Sequence, residues 1–157
     1  MGRYFEGYTN TTIFGVTAST YALGRQIGVP MKLTDMVEDN GGCAMLESVT
    51  LIDSALQSGK VILMFFKTEP TVTSADNGAL TMTAAEAQKC IGVIDMGSSA
   101  DVEKVSSAGQ LFVTRRHLNM LLRAGKGLRD LWCILVAGDG STYTANCLQL
   151  VIGVTKQ

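Results

Sequence analysis

Histidine occurs once in the 157 residues, at His117, and its scarcity removes more chemistry than any other feature of the chain. A multi-histidine metal site is excluded, and one imidazole at most is left for acid–base work. Its neighbours Arg115 and Arg116 oppose protonation and supply no carboxylate to orient the ring. Charge is scarce as well: Asp, Glu, Lys and Arg make up 17% of the chain, against about 25% in an average soluble domain. The formal net charge of −1 gives no global field to draw in nucleic acid or an anionic membrane. Cys43, Cys90, Cys133 and Cys147 form no Cys-x-x-Cys pair, so neither a zinc knuckle nor a dithiol redox motif is available. They read as reduced thiols, with Cys90 and Cys133 inside apolar runs where a thiol behaves as a small hydrophobe.

Other signatures are missing too. Gly-x-Ser-x-Gly does not occur, which removes the hydrolase elbow. Gly138-Asp139-Gly140-Ser141 lacks the lysine and the helix of a phosphate loop. Asp35, Glu38 and Asp39 miss the alternating oxygen-ligand register of a calcium loop and read as a solvated turn. No apolar run exceeds seven residues, far from the roughly 20 that a membrane helix needs, and the first residues lack the charged start and apolar core of a signal peptide. Catalytic, cofactor and metal residues are therefore not expected, nor is a membrane partner.

What the chain does have is apolar content, 46% by composition, in a length that suits one domain with its own core. Low charge with high apolar content fits a protein that buries surface against partners, and also an enzyme with a deep pocket. The charge is unevenly spread. Residues 1–100 carry six basic and ten acidic side chains, whereas residues 101–157 carry seven and four, with the excess at Arg115, Arg116, Arg123, Lys126 and Arg129. No aromatic residue lies between Phe112 and Trp132, so this stretch reads as a solvated or subunit-facing edge and a nucleic-acid partner is not expected.

From Ile27 onward, strand signals recur at short intervals: Ile27–Leu33, Cys43–Ile52, Val61–Lys67, Ile91–Met96, Gln110–Thr114, Leu131–Ala137 and Cys147–Val154. The last sets Leu148, Leu150, Ile152 and Val154 on one face by period two. Seven short strands punctuated by Asn40-Gly41-Gly42 and Gly138-Asp139-Gly140 predict a mostly β, antiparallel sandwich or barrel. Thr83, with Glu86 three residues on, caps a short helix through Ala84, Ala85 and Ala87. Residues Arg116–Ala124 place Leu118, Leu121 and Leu122 on one helical face and are the candidate for a second. Trp132 reads as a core anchor.

Residues 1–25 differ from the rest and predict an extended N-terminal arm ahead of a sandwich domain at 26–157. They hold five of the ten aromatic residues, Tyr4, Phe5, Tyr8, Phe14 and Tyr21, among Gly, Thr and Ser with no amphipathic period. Two arrangements fit. Either the arm orders against a neighbouring subunit, making these five rings the candidate partner interface, or it is an edge strand on its own domain.

Four pieces of the chain, in order, are Ser48-Val49-Thr50-Leu51-Ile52-Asp53, then Val61 to Phe66, then Asp76-Asn77-Gly78-Ala79-Leu80 with Ile91-Gly92-Val93-Ile94, and last Leu131 to Val136 with Tyr143 and Leu148 to Gly153. That order, over Ile27 to Val154, resembles the small β-sandwich virion proteins of tailed phages that decorate or cement the capsid shell. The resemblance implies a non-enzymatic protein that homo-oligomerises on the capsid surface, binds the major capsid protein and is assembled in the host cytoplasm. It implies extended chain, not helix, at Arg116–Ala124. The arm and the Arg115–Arg129 stretch depart from the family pattern and leave the docking surface open, and a portal, neck or tail component that reuses the sandwich is the alternative. A small ligand-binding or enzymatic sandwich is the rival from another class, and it requires convergent polar groups in a pocket.

Overall fold

The computed structural model describes residues 5–13, 15–57, 60–97, 102–107 and 109–156, and for residues 5–12 and 102 the backbone alone. Period-two sequences pair edge to edge, and here they pair into two antiparallel sheets. The larger is built from β1 (Phe5–Thr12), β4 (Cys43–Asp53), β7 (Val102–Ser107), β8 (Gln110–Arg115), β9 (Met120–Arg123) and β12 (Leu148–Lys156). Its order is β1-β12-β4-β8-β7, and β9 pairs with β4 beside β8. The smaller is built from β3 (Gln26–Leu33), β5 (Val61–Phe66), β6 (Cys90–Asp95) and β10 (Leu131–Ala137), in the order β3-β10-β5-β6. A two-residue ribbon joins β2 (Ser19–Thr20) to β11 (Thr142–Tyr143).

All seven strands read from the sequence are present, and the sheets pack face to face as expected. Leu148, Leu150 and Ile152 of β12 lie fully buried, opposite inward residues of β4 such as Val49 and Leu51. From the smaller sheet, Ile27, Leu63, Phe65, Leu131, Cys133 and Leu135 fill the other half of the same core. Core burial of this kind stabilises by about 25 cal/mol for each Å² of apolar surface removed from water.

The smaller sheet is buried on both faces, which explains why β5 and β10 read as unbroken apolar runs. Phe66, Ile134 and Val136 point away from the main core into a second cluster, covered by Val72, Leu80 and Met82 from the segment between β5 and β6. That segment holds the single helix, α1 (Ala84–Ala87), among the described residues. The Thr83 side chain accepts from the Glu86 N–H at 3.2 Å, as the capping signature predicts, whereas the Glu86 carboxylate accepts from the Thr71 N–H at 2.8 Å. Trp132 belongs to this outer cluster and is half-buried, not a central core residue. Trp132→Ala is accordingly expected to cost about 2 kcal/mol, below the 3–5 kcal/mol typical of a fully buried aromatic ring. A urea unfolding curve of the variant tests this, and a loss above about 4 kcal/mol would place the ring in the core.

Asp76 fastens the covering segment to the N-terminal part of the chain. Its carboxylate accepts from Thr17 N–H at 3.0 Å, Thr17 Oγ1 at 2.7 Å, the Tyr21 hydroxyl at 2.7 Å and Gly28 N–H at 2.6 Å. Next to it, Gln26 and Asn77 exchange backbone bonds with Gly78 and Gln26, and Asn77 Nδ2 donates to Ser19 Oγ. The Asp76-Asn77-Gly78 turn, with Asn77 at φ 58°, is therefore a clasp. Burial draws the Asp76 carboxyl upward, but the bonds from Thr17, Tyr21 and Gly28 outweigh it and hold the group below the usual carboxylate range.

The sequence leaves two choices open, and the structure takes one side of each. Residues 116–124 contain no helix: His117 and Asn119 adopt φ of 54° and 47°, which a right-handed helix forbids, and Met120–Arg123 is strand β9, paired with Cys43–Leu46 of β4. Of the two arrangements open to residues 1–25, the described part takes the edge strand on its own domain. β1 pairs with β12 along its whole length, from Phe5 opposite Lys156 to Thr12 opposite Gln149, and Ile13, Val16 and Tyr21 lie in the main core.

Candidate functional site

The two outer faces of the sandwich are treated differently. The smaller sheet wears a cover from its own chain, while among the described residues nothing lies over the larger one. Alternation shows which side chains face outward there. In β8, Leu111 and Val113 are buried, so Phe112 and Thr114 point away from the core; in β4, Ala44, Leu46, Val49 and Leu51 are buried, so Met45, Thr50 and Ile52 point away. Val105 of β7, paired with Phe112, is 60% exposed, and Leu121 of β9, paired with Met45, is 54% exposed. Large apolar side chains thus occupy both ends of a solvent-facing sheet.

Between those ends the face turns polar, because β4 carries one extra residue. Ser48 opposes Gly153 and Leu46 opposes Val154, so Glu47 has no partner on β12 and the strand bulges. The bulge lets Leu46 and Val49 both point inward while Glu47 and Ser48 lie half-exposed on the outside. On the other edge of β4 the pairing breaks at the same place: β8 covers Val49–Asp53, β9 covers Cys43–Leu46, and Leu118 N–H alone reaches Glu47 O, at 3.2 Å. The result is a shallow dish of about 590 Å³ lined by Glu47, Ser48, Thr50, Thr114, Arg116, His117 and Thr155. Its threonine hydroxyls bond to one another or to the acid: Thr50 Oγ1 lies 2.9 Å from Thr114 Oγ1, and Thr155 Oγ1 donates to Glu47 at 3.3 Å. Arg116 lies 3.7 Å from Glu103 on β7.

Of the five aromatic residues expected at a partner interface, Tyr4 and Phe14 lie outside the described residues. Phe5 and Tyr8 are placed by their backbone in β1, opposite Lys156 and Gly153. Tyr21 is fully buried in its own chain, with its ring edge-on to Tyr143 at 5.8 Å and its hydroxyl on Asp76. The outer face of the larger sheet was not singled out by sequence, since half-exposed apolar residues on a strand look there like core.

The basic stretch is dispersed by the fold. Arg115 donates to Asp95 O at 2.9 Å and Arg123 to Gly41 O at 3.4 Å, while Arg129 pairs with Asp35 at 2.6 Å. Asp35 also takes Lys156 at 2.9 Å, and Asp130 takes Lys32 at 2.8 Å, so the turn expected to be merely solvated anchors an ion-pair network at one end of the sandwich. The bond from Lys156, with the charge of Arg129 added, holds the Asp35 carboxyl below its ordinary range. All four cysteines are free, and burial pushes the thiols of Cys133 and Cys147 upward, which makes both poor nucleophiles. Among the described residues no group of three or more His, Cys, Asp or Glu side chains could hold a metal ion, and no helix is long and apolar enough to cross a membrane.

No protein-family model matches the chain, and no curated protein does either. Among solved structures, a chain from the structure of tomato aspermy virus is similar at 9% identity and a TM-score of 0.41, over 97% of this chain and 76% of that one. At that score the likeness carries no argument, and the functional reading rests on the chain's own residues.

Proposed function

We propose that this chain is a non-enzymatic structural protein of a virion, one that homo-oligomerises and binds the capsid shell to stiffen it as a decoration or cement protein. The observation that carries the reading is the uncovered outer face of the larger sheet, where Leu121 and Val105 are exposed and Phe112, Ile52 and Met45 are half-exposed. Apolar side chains grouped on one face of a folded domain mark a surface that meets another protein. The sparse charge of the sequence and its resemblance to phage shell proteins support the same reading.

Such a protein works by multivalency. Once one copy holds one shell subunit, its other contacts act at high effective concentration, and modest interfaces add up to a rigid lattice. The test is co-sedimentation of the purified protein with shells assembled from the major capsid protein of the same genome. Saturable pelleting with the shells and a higher shell melting temperature are expected. Protein that stays in the supernatant at every ratio sinks the proposal, and pelleting only with tail or neck assemblies moves it to those parts of the particle.

A further inference from the structure

We infer that the uncovered face of the larger sheet is closed by a second copy of this chain, packed face to face about a twofold axis that runs parallel to the strands between β4 and β8/β9. The inference deepens the assembly reading above and rests on it. Three properties of the face select this occupant.

The first is register. A twofold axis in that position lays each β8/β9 residue of one copy over the β4 neighbour it pairs with in its own chain. Phe112 is paired with Ile52, Thr114 with Thr50, and Leu121 with Met45. Between them Arg116 follows the residue opposite Val49 and so lies beside Ser48 and Glu47, with which it lines the dish. Across the axis apolar therefore meets apolar at both ends, hydroxyl meets hydroxyl, and the guanidinium of each copy meets the carboxylate of the other. An isologous interface demands this self-complementarity, and few sheet faces supply it.

Size is the second property. Nine residues of β12, 11 of β4, six and four of β8 and β9, and six of β7, at about 3.3 Å each and strands about 4.8 Å apart, give a projected face of roughly 570 Å². Side-chain relief raises the accessible area above the projection, to the scale of the ~800 Å² per partner that stable complexes bury. The third property is charge balance: Glu47 and Glu103 share the face with Arg116 and Arg123, so a copy meets itself without net repulsion. Two sheets in such an arrangement pack about 10 Å apart with their strands nearly aligned.

Sedimentation equilibrium of the full chain and its variants tests the inference. The unaltered protein is expected to sediment at twice its chain mass. Leu121→Arg, at a side chain already exposed in the single copy, is expected to leave a folded monomer. Arg116→Glu is expected to weaken the dimer about tenfold or more, and the double variant Arg116→Glu/Glu47→Arg to restore it, because the swap re-forms the pair across the axis. Val93→Arg, at an exposed position on β6 of the other sheet, serves as the control and is expected to leave the dimer unchanged. Circular dichroism confirms folding, and should Leu121→Arg unfold, the Arg116→Glu pair of measurements decides. A monomer at about 100 µM, ample for the micromolar dissociation constants of weak complexes, overturns the inference, as does a dimer indifferent to both single variants. Shell binding is measured separately: a monomer that pellets with shells overturns this inference alone, whereas a dimer that ignores shells overturns only the capsid reading.

Discussion

Phe65→Ala is expected to remove about 4 kcal/mol of stability, and Phe66→Ala somewhat less, about 3 kcal/mol, although the two rings are neighbours in β5 and equally inaccessible to solvent. Adjacent residues in a strand point to opposite faces, so the two variants excavate different cavities. Phe65 faces the core shared by both sheets, where the surrounding strands are held on every side and the hole cannot collapse. Phe66 faces the smaller cluster beneath the segment between β5 and β6, whose cover is irregular chain and can sink into the gap. Denaturant unfolding of both variants, with proteolysis near Val72 and Leu80 as a second readout, separates them. Faster cleavage there is expected in Phe66→Ala and not in Phe65→Ala. Equal cleavage, or a larger stability loss for Phe66, would mean that the cover is as rigid as the core.

Asp76→Ala is the other large effect. The substitution strands the Gly28 N–H and leaves the Thr17 N–H and the Tyr21 hydroxyl only the bonds between those two residues, and a donor that loses a charged acceptor gives up about 1.5–3 kcal/mol if buried, less where water reaches it. Thr17 is exposed and Gly28 is buried, so a total of about 3 kcal/mol is expected. Asp76→Asn, which keeps one acceptor oxygen, is expected to lose about half as much. The pH dependence supplies a separate signature. The folded-state pKa of Asp76 lies below its ordinary value, so its contribution is complete above the unfolded-state pKa of about 3.9 and is lost as pH falls through the folded-state value. Below that range, wild type and Asp76→Ala should converge in stability. A gap that persists unchanged at pH 2 would mean that the carboxylate charge is not what holds the clasp.

Most strands were legible because one face was buried and the other was not, or because both were. Leu148, Leu150, Ile152 and Val154 announce β12 by alternation, and Leu131–Ala137 announces β10 by continuity, since main core and cover claim its two faces. β7 was not legible: Val102 to Ser107 is an edge strand with exposed side chains at Glu103, Lys104 and Val105, so no buried period marks it. β1 hides for a related reason, because Phe5–Thr12 mixes Gly, Thr and Asn without alternation and is fixed by β12, not by local preference. β9 was disguised. Leu118, Leu121 and Leu122 have helical spacing, but Leu122 points into the core and Leu121 out of it, as on a strand. The candidate face was illegible because Met45, Ile52 and Phe112 sit between buried neighbours and extend apolar runs that read as interior. Asp76 stood in a stretch visible as ordered, yet its three partner residues lie 48 to 59 positions away, beyond any local signal.

The pairing of β1 with β12 has a consequence in time. Phe5 meets Lys156 and Thr12 meets Gln149, so the first strand of the larger sheet has no place to bind until the last has left the ribosome. During synthesis at about 5–20 residues per second, β1 waits unpaired for several seconds or more, and the smaller sheet is nearly as late, since its strand β10 emerges shortly before β12. Closing so long a loop is slow as well as late, so the β1 edge of the larger sheet sets after the strands it joins.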